Sequence, residues 1–435
     1  MQLTIEKLIY GGDGLGRLPA DDQGSGKAVF IPFVLEGEEV EAHLIEEKRG
    51  FARGLVDTLA VRSVNRIEPP CPYFAHCGGC HYQHSNYEHQ LEIKAAILKE
   101  NLRRIAKVEL ETELNIHPSL QWNYRNRTRL TLQTTPEFAL CYHKFNSHLL
   151  LPIEECPISS PLINRGTSAL WDIGRKGSVP AQIREIEMFA NASDSELLIE
   201  AYCSEDMNPG AALRLHESLQ SQIPEIAGVV IFKEYISRGS SDQANEREQI
   251  QLAGRGDLVY KTSESSYRVS AGSFFQVNRF LIDELVSIVT AGQSGGTALD
   301  LYAGVGLFSS VLYREFQRVI AVESSQTSYA DLLYNSPPNV KAVQATTEQY
   351  LKNAGGKLRP DFVVVDPPRG GLSESVTKLL ASVGSPRITY VSCDPATVAR
   401  DLRGLLDSGY RVEQAHLVDL FPQTFHIESV FQLVR

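Results

Sequence analysis

Ile388-Thr389-Tyr390-Val391-Ser392-Cys393-Asp394-Pro395 is the stretch from which the fold can be read. Its first four residues, mostly β-branched or aromatic, predict a short buried strand. Ser-Cys-Asp-Pro stops that strand, and Pro395 opens the helix-like run Ala396 to Leu402. The segment therefore reads as one strand-to-helix step of an open α/β sheet with a thiol at the strand tip. Ligands of such sheets bind outside the carboxyl ends of the strands, which turns Cys393 towards a site. Free cysteine is also a common filler of cores, so the segment alone leaves both roles open.

Two stretches upstream carry the argument further. Gly296-Thr-Ala-Leu-Asp-Leu-Tyr-Ala-Gly-Val-Gly-Leu-Phe308 reads as a buried strand, a Gly-x-Gly turn and a helix start, with Gly304 and Gly306 letting backbone approach a ligand. The next strand, Arg318 to Val322, ends in Glu323, where a carboxylate accepts hydrogen bonds from ribose hydroxyls; the pair of features points to a nucleoside-bearing cofactor. Asp361-Phe-Val-Val-Val-Asp366-Pro-Pro-Arg-Gly-Gly371 is a further strand ending in a rigid Asp-Pro-Pro turn, suited to a site loop. From about Tyr267 onward, strands and helices alternate in the βαβ manner.

The chain before that point is different. Residues 1–60 alternate as short strands (Leu3 to Ile5, Lys27 to Ile31, Glu38 to Ile45, Ala52 to Leu59) between Gly-rich turns, as in an OB-like β-barrel. Gly11-Gly-Asp-Gly-Leu-Gly16 reads as a turn and not as a dinucleotide loop, because Pro19 and two aspartates follow it instead of a helix. The segment holds 6 Lys/Arg against 11 Asp/Glu, so any RNA contact must use one face of it. Pro69-Pro-Cys-Pro72 then opens a cysteine cluster, Cys71, Cys77 and Cys80. Glu88 to Ile105 predicts an amphipathic helix with Leu91, Ala95, Leu98, Leu102 and Ile105 inward and Lys94, Lys99, Arg103 and Arg104 off that stripe. Arg125, Arg127 and Arg129, spaced by two, project from one face of a strand; they suit either RNA phosphates or an edge strand charged against aggregation. Ser240 to Glu248 reads as a hairpin loop.

With 435 residues the chain is too long for one ordinary domain, and 43% hydrophobic with 22% charged residues is an ordinary globular composition. No apolar run approaches the ~18 residues of a membrane span, and the N-terminus has no signal-peptide pattern, so the expectation is a cytoplasmic protein. A net charge of −11 argues against a sheath-like nucleic-acid binder but leaves room for a local basic groove. Seven cysteines, three of them clustered, suggest a metal in a reducing compartment. Cys141, Cys156 and Cys203 are the available fourth ligands, and His76 and His81 are rivals. From spacing alone, zinc and an iron–sulfur cluster are equally suited.

Taken together, the Asp300-Leu-Tyr-Ala-Gly-Val-Gly-Leu-Phe308 loop, the Asp366-Pro-Pro-Arg-Gly-Gly371 turn, Ser392-Cys-Asp-Pro395, Ser273-Phe-Phe-Gln-Val-Asn278 and Phe421-Pro-Gln-Thr-Phe-His-Ile-Glu428 resemble a known family: the S-adenosylmethionine-dependent RNA uracil-5-methyltransferases that carry a TRAM domain and an iron–sulfur cluster. The resemblance implies an α/β fold: a Rossmann-like methyltransferase at 266–435, an OB-like TRAM barrel at 1–60 and a central β-rich domain bearing the cluster cysteines at 61–265. It implies Cys393 as nucleophile and Glu428 as base. It also implies cofactor or uracil contacts at Gln276, Tyr302, Gly304, Gly306, Leu307, Glu323 and Asp366, with Leu307 acting through its backbone. Cys156 becomes the fourth ligand of a 4Fe-4S cluster with Cys71, Cys77 and Cys80, while Cys141 and Cys203 are left as core filler. The implied partner is RNA, ribosomal in preference to transfer RNA, with neither DNA nor membrane. A rival from another class is a non-catalytic RNA-binding protein, which has no use for Cys393 and Glu428 at these tips. A small-molecule methyltransferase is disfavoured by the two appended domains.

Overall fold

The computed structural model describes residues 1–19, 26–235, 246–355 and 358–435. Its N-terminal sheet comprises β1 (Gln2–Thr4), β2 (Lys7–Leu8), β3 (Asp13–Arg17), β4 (Ala28–Pro32), β5 (Glu39–Glu47) and β6 (Phe51–Val61) in the order β1-β5-β6-β4-β3-β2. Alternation along these strands sends Leu3, Val29, Ile31, Val40 and Ala52 into a small apolar core. The glycine cluster divides in two. Gly11 and Gly12 form the turn at positive φ, whereas Gly14 and Gly16 lie in β3, a strand that was hidden by their lack of β propensity.

Helix α1 (Tyr87–Asn101) follows, capped by the Asn86 side chain and running into a π-helical turn, Leu102–Ala106, and then β7 (Leu114–His117). The expected helix is present, but its inward face is not the expected one. Lys94 is fully buried and Ile105 is 39% exposed. The next sheet holds β8 (Arg127–Gln133), β9 (Ala139–His143), β10 (Leu150–Pro152), β11 (Ile183–Ala190), β12 (Leu197–Cys203), β13 (Ile226–Tyr235) and β14 (Glu246–Gly254), with α2 (Pro161–Arg175) and α3 (Ala211–Gln220) packed on it. Cys141 and Cys203 are buried in its core. The predicted hairpin loop at Ser240 to Glu248 falls mostly outside the described residues; its last three residues, Glu246 to Glu248, belong to β14, which pairs antiparallel with β13.

The hairpin β15 (Asp257–Lys261) and β16 (Ser266–Ser270) leads into an alternating half: α4 (Ile282–Thr290), β17 (Gly295–Leu301), α5 (Ser309–Leu312), β18 (Phe316–Glu323), α6 (Gln326–Asn335), β19 (Val340–Gln344), α7 (Thr347–Ala354), β20 (Phe362–Val365), α8 (Glu374–Val383), β21 (Arg387–Ser392), α9 (Pro395–Asp407), β22 (Arg411–Val418) and β23 (Glu428–Val434). The sheet order is β19-β18-β17-β20-β21-β23-β22-β7, with β23 antiparallel to both its neighbours and the other pairs parallel. The order reverses between β17 and β20, and at such a switch point the strand ends leave a crevice for ligand. The far edge is closed by β7, parallel to β22. Segment 87–117, which the sequence division placed in the central region, therefore packs with this sheet. Among the described residues no helix is long and apolar enough to cross a membrane.

Candidate active site

Strand pairing brings the two proposed reactive side chains together. β21 and β23 are antiparallel with Ser392 opposite Ser429. Cys393 is the next residue beyond that pair on the β21 side and Glu428, the first residue of β23, on the other, close enough for each charge to be felt by its neighbour. Beyond Cys393 the chain turns at once: the Asp394 carboxylate accepts from Ala396 N at 3.0 Å and Thr397 N at 2.8 Å, capping α9, with Pro395 at its first turn. The thiol is left half-buried.

Asp366 follows β20, whose Val365 pairs with Tyr390 of β21, so it stands beside the same tip. The Gln276 amide reaches it at 3.5 Å, and the Gln276 carbonyl is held by Asn126 at 3.1 Å. The electrostatics are those of a cramped, poorly solvated group of acids. Burial, with Glu428 and Asp366 nearby, pushes the Cys393 thiol up to about 12, while the Arg369 guanidinium acts the other way. Burial and the Asp366 charge hold Glu428 well above the usual carboxylate range, again opposed by Arg369. Burial and Asp300 raise Asp366 to about 7. Arg369 is thus the positive charge facing thiol and carboxyl alike; the motif that carries it was quoted above, but its role was not foreseen.

The cofactor-side residues separate into those that border open space and those that do not. Gly304 has φ +56 and no heavy atom within 4 Å of where a Cβ would stand. Its N–H donates to Glu323 at 2.8 Å, and Ser325 N donates to the other carboxylate oxygen at 2.6 Å, which fixes the acid at the end of β18 while each oxygen keeps a further lone pair. Tyr302 has φ +62, rare for a bulky residue, and its ring borders a cavity of about 340 Å³ with Ser324, Thr346, Thr347 and Glu348. Gly306 has another reason to be glycine: a Cβ there would meet Leu332 at 2.9 Å. Leu307 is not brought to the crevice. Its side chain lies in the core and its carbonyl accepts the Tyr267 hydroxyl at 3.1 Å, since the chain after Gly306 dives into the sheet and forms only the one-turn α5.

The segment carrying Glu428 is anchored from the other parts of the molecule. Lys94 Nζ donates to Asp419 at 2.5 Å and to the Phe421 carbonyl at 2.9 Å; Tyr124 holds the Pro422 carbonyl and Asn278 that of Leu420. His81 N and Tyr82 N both donate to the Gln423 carbonyl. Phe274, two residues before Gln276, is 63% exposed.

Cys71, Cys77, Cys80 and Cys156 line one cavity of about 400 Å³, whose wall includes Thr424, Phe425 and His426 of that same segment. Burial and the other thiols raise Cys77 to about 11 and Cys80 still further. His81 borders this cavity, but His76 does not. Among the described residues no three His, Cys, Asp or Glu side chains converge as a single ion requires. The arginine stripe is not a free basic surface. β8 lies inside its sheet, with Arg127 near Glu187 and Glu200 at 3.3 and 3.7 Å and over the Phe189 ring, and Arg129 on Glu185, Glu234 and the Tyr202 ring. Arg125 borders the cysteine cavity.

Comparison with known proteins agrees with this architecture. Residues 86–435 match the family model described as tRNA (Uracil-5-)-methyltransferase, and residues 1–56 match the TRAM domain. An uncharacterized RNA methyltransferase of Aquifex aeolicus is 33% identical over 99% of this chain and 97% of its own length, and one of Thermotoga maritima is 31% identical over 100% and 99%. In fold the chain is similar to the Pyrococcus abyssi tRNA (uracil-54, C5)-methyltransferase solved with S-adenosyl-L-homocysteine, at TM-score 0.75 and 23% identity over 100% of both chains. A TRAM barrel ahead of a doubly wound sheet, matched over its length by the family model, makes this chain a member of the tRNA (uracil-5-)-methyltransferase family.

Proposed function

We propose that this methyltransferase places a methyl group on carbon 5 of a uridine in folded RNA, with Cys393 as nucleophile, Glu428 as base and S-adenosylmethionine as donor. The observation that supports the reading most is the β21–β23 register, which pairs Ser392 with Ser429 and so brings Cys393 and Glu428, the next residue on each side, to the same end of the sheet. The open space at Gly304, the fixed Glu323 and the cavity beside Tyr302 fit a nucleoside-bearing cofactor, which, when bound, supplies an electrophilic methyl group. Uracil carbon 5 is too weakly nucleophilic to accept that group unaided. The Cys393 thiolate adds to carbon 6, the ring becomes an enolate, and carbon 5 would take the methyl group as its bond to the donor's sulfonium breaks and leaves a neutral thioether. Glu428 then removes the proton left on carbon 5, and the carbon–sulfur bond breaks to release Cys393. Arg369 favours the thiolate that begins the sequence and the carboxylate that ends it. A base must leave its helix to expose carbon 6, and the free face of Phe274 is suited to stack on it or on a neighbour.

Four cysteine thiols lining one cavity of about 400 Å³ supply the donor set that a 4Fe-4S cluster takes. Cys71, Cys77, Cys80 and Cys156 would hold it, and it would supply thiolate-bound iron beside the segment that carries Glu428. We expect anaerobically purified protein to be brown and to lose its charge-transfer absorbance on Cys77→Ala; colourless protein with stoichiometric zinc would overturn the assignment. For the RNA we favour 23S ribosomal RNA; the second reading, transfer RNA, is favoured by the description of the family model. Mapping 5-methyluridine in both RNAs from a deletion strain decides between them.

The catalytic roles are tested by where the reaction stops. Cys393→Ala should form no covalent complex with RNA. Glu428→Gln should accumulate a complex that carries labelled methyl, and unmodified enzyme with 5-fluorouridine RNA should be trapped in the same state. Turnover by Cys393→Ala would sink the nucleophile assignment.

A further inference from the structure

The TRAM barrel reaches the Cys393 strand tip through the side chain of Tyr10. Tyr10 stands in the turn between β2 and β3, closed by Gly12 N on the Ile9 carbonyl at 3.1 Å and by the positive φ of Gly11 and Gly12. Its hydroxyl donates to the Cys393 carbonyl at 3.5 Å, a contact spanning 383 residues. Its ring stands edge-on to Phe425, with centroids 5.2 Å apart and planes at 87°. The turn is also pressed onto the cysteine loop, since a Cβ at Gly12 would come within 2.9 Å of the His81 Cβ.

These contacts converge on the peptide that joins the last pair of β21 to the first turn of α9. Between the last pair of β21 and the first turn of α9, Cys393 belongs to neither element, and local support comes from Ser392 Oγ, 3.3 Å from Asp394 N and 3.2 Å from the Asp394 carbonyl. A peptide free to rotate there would sweep the thiol across the face on which carbon 6 must arrive. A nucleophile misplaced by about 1 Å can lose two orders of magnitude in rate.

We infer that Tyr10 is a positioning residue for the nucleophile, through its hydroxyl on the Cys393 carbonyl and its ring on Phe425, so that the barrel completes the catalytic site as well as the outer surface. The inference rests on Cys393 being the nucleophile. The test uses the full chain and 5-fluorouridine RNA, with single-turnover adduct formation as the readout. Tyr10→Phe keeps the ring and should slow the adduct about fivefold, the size of one lost neutral hydrogen bond, while RNA and cofactor Kd stay within about twofold. Tyr10→Ala should slow it more. Lys7→Met breaks the barrel's ion pair with Glu100 of α1, at 2.6 Å, but leaves Tyr10 intact; it should form adduct at the normal rate. A normal rate in Tyr10→Phe, or an equal loss in Lys7→Met, would overturn the inference. Adduct formation by Cys393→Ala would instead overturn the reading beneath it.

Discussion

A carboxyl buried at the end of a strand must find donors or keep its proton, and Asp300 does part of each. It accepts from Ser309 N at 3.1 Å and from the Ser309 hydroxyl, yet burial, with Glu323 adding, raises it to about 7. A folded-state pKa above the unfolded value of 3.8 means that the folded state binds the extra proton. The associated stability is therefore full below about 4 and is lost as pH rises to about 7. Asp300→Asn should remove that share, so its melting temperature should decline less than that of the unmodified protein between these limits; parallel profiles would refute the assignment. Cys393, Asp366 and Glu323 were legible in the sequence because a reactive or charged residue that stops an apolar run marks a strand tip. Lys94 and Tyr10 were not, because each is explained only by a partner 325 or 383 residues away.

At the scale of elements, the segment Asp419 to Glu428 is the clearest case of a loop held by others. The Lys94–Asp419 pair is sealed from solvent, and Tyr87 gives Asp419 a further donor at 2.9 Å. Removing one member of a buried pair strands the other charge. Lys94→Met should therefore cost about 3–5 kcal/mol of stability in denaturant titration and lower activity, whereas Lys94→Met combined with Asp419→Leu should recover much of the stability. The arginine stripe changes meaning at this scale too. Arg127→Ala should destabilise the central sheet, by about 3 kcal/mol, because Glu200 is buried beneath it, and should leave the salt dependence of RNA binding unchanged. A flatter salt slope would restore the phosphate reading. Spacing by two put Arg127 and Arg129 on one face of β8, while Arg125 precedes the strand; it could not show that Glu187 of β11 and Glu200 of β12 stand near Arg127. For α1, the stripe failed at Lys94 for the same reason, a cation placed inward by a distant acid.

At the scale of the molecule, the sequence showed three compositional regions but not the exchange between them. The alternation from Tyr267 onward disclosed the sheet, whereas β7 carries too few residues to announce that it completes the sheet's edge. That edge has a consequence for how the protein is made. Leu114 to His117 leave the ribosome some 300 residues ahead of Ala415 to Val418, with which they pair. At usual elongation rates the interval is roughly 15–60 s. Through all of it the inner face of α1 and the strand behind it lack their partners, so the N-terminal quarter of a nascent chain waits on its last segment. Ribosome-bound chains halted before Arg411 should be cut by protease within α1, and completed chains should resist.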